Sequence, residues 1–160
     1  MSARMTNPAL AIPGLMAQLQ AVIQTAHGAA AAAGVPQATI HLVEIRASQI
    51  NGCAVCLDMH DRAARKAGET AERLATLIAW RETPYFDEAE RAALALTEAG
   101  TRLAGWGEPV PDAVYEELDR HYDEKATAAI VTVIAMINAW NRLNIISGQV
   151  TGPWIEQWVA

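Results

Sequence analysis

The chain has 160 residues, 52% of them hydrophobic and 19% charged, and carries a formal charge of −6. That is enough apolar material for one domain with a real core, while the absence of any Lys/Arg cluster argues against nucleic acid or an anionic membrane as partner. The N-terminal residues Met1 to Pro8 lack the apolar core of a signal peptide, so a cytoplasmic protein acting on a small neutral molecule is expected.

Turn signals divide the chain into about seven helices and no convincing strand, which predicts an all-α fold in a single domain over 1–160. Residues 1–12 form an N-terminal segment. Pro13 opens the first helix, whose apolar stripe is Leu15, Leu19, Val22, Ile23 and Ala26, and Gly34 closes it. Pro36 opens the second, with Ile40, Val43, Ala47 and Ile50 on its buried side, and Asn51-Gly52 breaks it. A third helix starts near Cys53 and ends at Gly68. The fourth covers Glu69 to Trp80 and is stopped by Thr83-Pro84. Asp87 followed by Glu90 reads as a capping box for a fifth helix reaching Leu103, and Gly105 to Pro109 reads as a loop. The sixth runs from Pro111 to His121. Asp123 caps a long apolar seventh helix reaching Ile146, followed by a tail over 149–160 with Trp154, Ile155 and Trp158. The longest apolar stretch, Ala126 to Ile137, is too short to span a bilayer, and no membrane segment is expected.

The only two cysteines are Cys53 and Cys56. Two thiols separated by two residues can close a small disulfide when one lies in the first turn of a helix, where helix amides and macrodipole favour the thiolate. His60 follows Cys56 by four residues and Cys53 by seven, so a continuous helix puts all three on one face. The run therefore reads as an acid/base-assisted redox dithiol. Two other readings are a zinc site completed by His60 and His41, and a pair of inert buried thiols; the intervals match no known zinc finger. Nothing in the pattern calls for a cofactor or a bound metal.

The second helix carries a polar seam, Gln37, His41, Glu44, Ser48 and Asn51, at spacings of four, three, four and three. It is either a solvated face or a path by which His41 or Glu44 reaches the dithiol, with Arg46 and Gln49 offering an alternative solvent face. Imidazole accepts a thiol proton near neutral pH, and a carboxylate orients that imidazole, so Glu44 with His60 would be a base and its orienter. His27 and His121 read as surface or cap residues outside the site. Asp58 with Arg62 and Asp61 with Arg65 read as surface pairs, and Arg142 as partner to a carboxylate at an interface.

The block Val43 to His60, followed by Ala67-Gly68-Glu69-Thr70, resembles the core of the AhpD-like alkylhydroperoxidase branch of the carboxymuconolactone decarboxylase family. The run Ile137 to Ile145 is similar to that branch's C-terminal signature, so the resemblance spans about residues 37–146. It implies a helical thiol peroxidase that reduces organic hydroperoxides, in which the second cysteine, Cys56, attacks peroxide and the first, Cys53, resolves the sulfenic acid. It also implies a proton relay of a carboxylate and the histidine after the second cysteine, matched by His60. The family's glutamate precedes the first cysteine by twelve residues, where this chain has His41, with Glu44 one turn further on; Val55 stands where AhpD itself has another histidine. By the same resemblance a dithiol donor, a lipoyl-bearing protein, reopens the disulfide, and the chain forms a homo-oligomer, trimer or hexamer. Other readings are a general disulfide oxidoreductase and a redox-sensing module.

Overall fold

A computed structural model describes residues 2–103 and 109–159; of the loop read at Gly105 to Pro109, only Pro109 lies within them. Among the described residues there are eight α-helices, two 3-10 helices and no strand. The helices are α1 (Pro8–Ala11), α2 (Leu15–Ala32), α3 (Gln37–Asn51), α4 (Ala54–Lys66), α5 (Ala71–Thr76), α6 (Glu88–Thr101), α7 (Asp112–Asp119) and α8 (Glu124–Ile146), with 3-10 segments at Leu77–Glu82 and Pro153–Trp158. Three differences from the sequence reading stand out. Asn7 caps an extra short helix, the fourth helix changes to 3-10 geometry at Leu77 with a kink at Ala79, and the tail winds into a 3-10 turn.

The architecture turns on α3. Every residue from Thr39 to Ser48 except His41 is buried, because α3 packs against α4, α6 and α8 at once, and α2 in turn packs along α8. Apolar periodicity alone could not have shown this. Glu44, Arg46 and Ser48 are as buried as their aliphatic neighbours. Arg46 is not a solvent face. Its guanidinium donates to Glu98 Oε1 from Nε (2.9 Å) and Nη2 (2.7 Å) and to Gln49 Oε1 (3.0 Å), so an inward position is satisfied rather than exposed. Trp80 Nε1 (3.0 Å) and Arg81 (2.7 Å) converge on the same carboxylate, which joins α3, α6 and the Leu77–Glu82 turn. Burial alone would push the Glu98 carboxyl up; Arg81, Trp80 and Arg46 overcome it and hold it down at about 2. Breaking such a cluster from one side strands buried charge, so Glu98→Ala is expected to cost about 3–5 kcal/mol in urea unfolding.

By length and composition α8 could cross a membrane. Its burial of Ala126, Ile130, Val133 and Ile137 in the core, and of Asn138, Asn141 and Asn144 against polar partners, makes it the central packing helix instead. Within the chain, exposed Arg142 donates to the Asn138 backbone oxygen (2.9 Å) on its own helix. The surface pairs appear where spacing put them, Arg62 on Asp58 (2.6 Å) and Arg65 on Asp61 (2.7 Å).

Candidate active site

The dithiol is placed by a tight turn between α3 and α4. Gly52 sits at φ 72°, in the left-handed region that ends α3, and the Gly52 and Cys53 amides both return to the Ser48 carbonyl in the manner of a helix C-cap. Cys53 is thereby delivered to the N-cap of α4. Its Sγ accepts from the Cys56 amide at 3.3 Å, as a Ser or Asp oxygen does at other helix starts. Cys56, one turn in, receives a donor from across the fold: Asn144 Nδ2 lies 3.3 Å from its Sγ. Both thiols are free and buried.

The polar seam of α3 faces inward and fastens this turn to α8. Asn51 Nδ2 donates to Asn138 Oδ1 (2.9 Å) and Asn141 Oδ1 (2.8 Å), Asn141 Nδ2 donates to Ser48 Oγ (3.1 Å), and Ser48 Oγ donates to the Glu44 carbonyl (2.8 Å). The solvated-face alternative is thus overturned for Glu44, Ser48 and Asn51. Gln37 remains exposed.

At the centre of the site is the Glu44 carboxylate, with three of the chain's four histidines around it. His60 Nδ1 is 3.0 Å from Oε2 and His27 Nε2 is 3.0 Å from Oε1, while His41 Nδ1 stands off at 3.8 Å. Burial would push the Glu44 carboxyl up, yet the His60 charge and the imidazole hydrogen bonds outweigh it and hold Glu44 well below the carboxylate range. Burial likewise presses the His60 cation down, and the Glu44 charge and hydrogen bond, with Cys56 beside it, raise it above its ordinary value. A carboxylate on Nδ1 fixes the tautomer of neutral His60 with its proton there and leaves Nε2 as the acceptor for a thiol proton.

His27 belongs to the site, against the surface or cap role that its sequence position suggests. It lies seventeen positions before Glu44 on another helix. Its one local signal is that it follows Ile23 by four residues and so continues the inward stripe of α2. His121 does belong at the surface, against Glu117 (3.2 Å). His41 is close to Glu44 but does not line the cavity that holds Cys56, and its Nδ1 has no hydrogen-bond partner among the described residues. Among the described residues, no three His, Cys, Asp or Glu side chains are arranged to hold a metal ion.

That cavity has a volume of about 310 Å³. Its polar end is Cys56, His60, Glu44, His27 and Asn144; its apolar walls are Met16, Ile23, Ile137, Trp140, Trp154 and Trp158. Cys56, buried as it is, lines this cavity and Cys53 does not. The tail supplies two of the tryptophans because Ile155, 1% exposed, anchors it in a cluster with Cys53, Val55 and Cys56. The tail therefore packs on its own subunit's cysteine site.

The two thiols share one readily lost proton. A hydrogen bond from Cys56, opposed by burial and aided by the Cys56 amide, Asn144 and Asn141, brings Cys53 down to about 7. The Cys53 hydrogen bond, burial and the Cys53 charge push Cys56 up. The first proton is thus lost more readily from the N-cap sulfur, while the cavity lies against the other.

Residues 17–99, just over half of the chain, match the model of the carboxymuconolactone decarboxylase family. The chain belongs to that family. Uncharacterized protein YdfG of Bacillus subtilis is 44% identical over 110 residues, 69% of this chain and 74% of YdfG. The crystal structure of an Agrobacterium tumefaciens protein of unknown function, described as a candidate antioxidant defence protein AhpD, superposes with a TM-score of 0.82 at 32% identity, covering 94% of this chain and 99% of that one. Together these put the protein in the AhpD-like branch of the family. The debrominase Bmp8, as a cysteine-to-alanine variant in complex with 2,3,4-tribromopyrrole, shares the fold at 19% identity and a TM-score of 0.73, over 92% of this chain and 78% of its own.

Proposed function

We propose that this AhpD-like protein is a thiol-dependent hydroperoxide reductase cycling between the Cys53/Cys56 dithiol and its disulfide. The observation that carries the reading is placement: both thiols are buried, but of the two only Cys56 lines the apolar cavity, with the His60–Glu44 pair beside it and Cys53 one helical turn behind. The proton left on Cys56 passes to the Cys53 thiolate or to His60 Nε2, and the freed Cys56 thiolate attacks the distal peroxide oxygen. The O–O bond breaks, the alkoxide takes a proton and leaves as alcohol, and Cys56 becomes a sulfenic acid. Cys53 displaces its hydroxyl as water and closes the disulfide. An external dithiol, for which a lipoyl-bearing protein is the family's donor, returns two electrons and two protons. A buried thiol in a cavity of this size suits a small apolar peroxide better than the exposed disulfide of another protein. Stopped-flow oxidation of the reduced protein by cumene hydroperoxide and by hydrogen peroxide tests the reading; no faster reaction than a free thiol of the same pKa with either oxidant sinks it.

The three tryptophans favour one further use of the same two electrons. A bromopyrrole in the cavity that Trp140, Trp154 and Trp158 line would pass bromine from carbon to the Cys56 sulfur while the ring carbon takes a proton, and Cys53 would then displace bromide and close the disulfide, the kind of chemistry for which Bmp8 is named; bromide release from 2,3,4-tribromopyrrole in the presence of a dithiol reads it directly.

For assembly, we propose a homo-oligomer, trimer or hexamer, built on the outer face of α2 and α8. There Ala21, Val22, Thr25, Ala128 and Thr132 line a shallow apolar groove of about 720 Å³, and Val131 beside it is exposed. Truncation after Gly152 should then leave the oligomer mass by light scattering unchanged while speeding alkylation of Cys56 by iodoacetamide, since it unroofs the cavity. A fall in mass would move the tail into the interface.

A further inference from the structure

The N-terminal residues 4–11 lie outside the family match, yet through Asn144 one of them is linked to the Cys56 sulfur. The Arg4 and Met5 amides donate to the Ser147 carbonyl (3.0 and 3.4 Å) and Gln149 Nε2 donates to the Met5 carbonyl (2.8 Å), which ties the segment to the end of α8. Asn7, 8% exposed, is the next residue but one. Its Oδ1 accepts from the Ala9 amide (2.9 Å), its Nδ2 donates to Asn144 Oδ1 (2.7 Å), and Asn144 Nδ2 donates to Cys56 Sγ (3.3 Å).

The two ends of a carboxamide have nearly the same shape, and the surrounding network decides which end faces which neighbour. In this chain of bonds each choice follows from the one before. A helix amide can only donate, so Asn7 must turn its oxygen toward Ala9. That leaves Asn7 Nδ2 for Asn144, which must answer with its oxygen. Asn144 then has only N–H to offer the sulfur. An N–H aimed at sulfur favours the thiolate, whereas a carbonyl oxygen in the same place repels it.

We propose that Asn7 is a positioning residue: through Asn144 it holds a hydrogen-bond donor on Cys56 and so sets the reactivity of that thiol. The inference rests on the reading of Cys56 as the attacking sulfur, but its test reads the thiol alone and does not depend on which oxidant the protein meets.

Asn7→Asp keeps the α1 cap, because a carboxylate accepts the Ala9 amide as well as an amide oxygen does, but it cannot donate. Asn144 must then turn its NH₂ to the new carboxylate and present its oxygen to Cys56. In the full chain carrying Cys53→Ser, so that one thiol titrates, Asn7→Asp should raise the Cys56 pKa by at least about one unit, a tenfold loss of thiolate at fixed pH. Ultraviolet thiolate absorbance and the rate of iodoacetamide alkylation read it. Asn7→Ser keeps a cap and leaves Asn144 free to choose, so its shift should be small. Adding Asn144→Ala should remove most of the Asn7→Asp effect. An unchanged pKa in Asn7→Asp overturns the proposal, and so do equal shifts in the Asp and Ser variants, which would mean a merely structural cap. A full Asn7→Asp shift in the Asn144→Ala background also overturns it, because the new charge and not the amide orientation would then be responsible.

Discussion

Cys56→Ser is expected to consume no hydroperoxide at all, while Cys53→Ser performs one stoichiometric turnover and stops with a sulfenic acid on Cys56. The asymmetry follows from the α3–α4 turn. Cys53 Sγ is spent as the N-cap acceptor of the Cys56 amide and lies off the cavity, whereas Cys56, though equally buried, lines it. Removing the attacking sulfur deletes the first bond-forming step. Removing the resolving sulfur deletes only the second, and the sulfenic acid waits in a site where Asn144 remains a donor. Because Ser is itself a good N-cap, Cys53→Ser should keep the turn intact and confine its effect to chemistry. Peroxide loss is followed by a colorimetric assay, and the trapped species by dimedone adduction and mass spectrometry. Dimedone on Cys53 in the Cys56→Ser protein, at a rate matching the converse variant, would exchange the two roles. The lowered pKa of Cys53 makes this test a sharp one, since acidity and placement at the cavity point to different sulfurs and only placement predicts the asymmetry.

Much of this site could be read from residue order. The Asp87–Glu90 capping box, the prolines at helix starts and Gly52 placed the helices within a residue or two, and the interval from Cys53 to His60 placed the thiols and imidazole on one face of α4 because that interval is a property of any α-helix. The inward turn of the α3 seam was only half legible. A helix with polar residues at four-and-three spacing looks solvated until its partners are known, and those partners, Asn138 and Asn141, stand about ninety residues away. Arg46 misled for the same reason, its Glu98 being fifty-two residues distant. His27 and Asn7 carried no local signal strong enough to select them. Each acts through a single hydrogen bond to a residue on another helix, and such pairs leave no periodicity behind.

Glu44→Gln is expected to slow oxidation of the dithiol by at least about tenfold, a part of the ~10²–10⁴-fold that a positioned base supplies because His60 itself stays in place, and His41→Gln to slow it much less. The glutamine amide oxygen still accepts from His60 Nδ1, so the tautomer and ring orientation persist and only the charge is removed. Without that charge the His60 cation loses the interaction that raises it above its ordinary value of 6.5, and the thiolate loses an imidazolium neighbour. The acid limb of the rate profile, set by the first proton of the pair at about 7, should therefore move to higher pH. Stability gives an independent reading with a definite sign. Glu44 is held below its ordinary 4.5 in the fold, so its contribution is present above that pH and lost as pH falls through the folded value; His60 is raised, so its contribution is full below 6.5 and lost as pH rises through its folded value. The difference in melting temperature between wild type and Glu44→Gln should accordingly be widest between pH 4.5 and 6.5 and narrow on both sides. His41 stands at 3.8 Å and does not line the cavity, so its removal leaves the His60–Glu44 contact in place. Equal rate losses in the two variants would instead make the histidine at the family's glutamate position a working part of the relay, and unchanged rates in both would leave the Glu44 cluster a structural clamp between α2, α3 and α4.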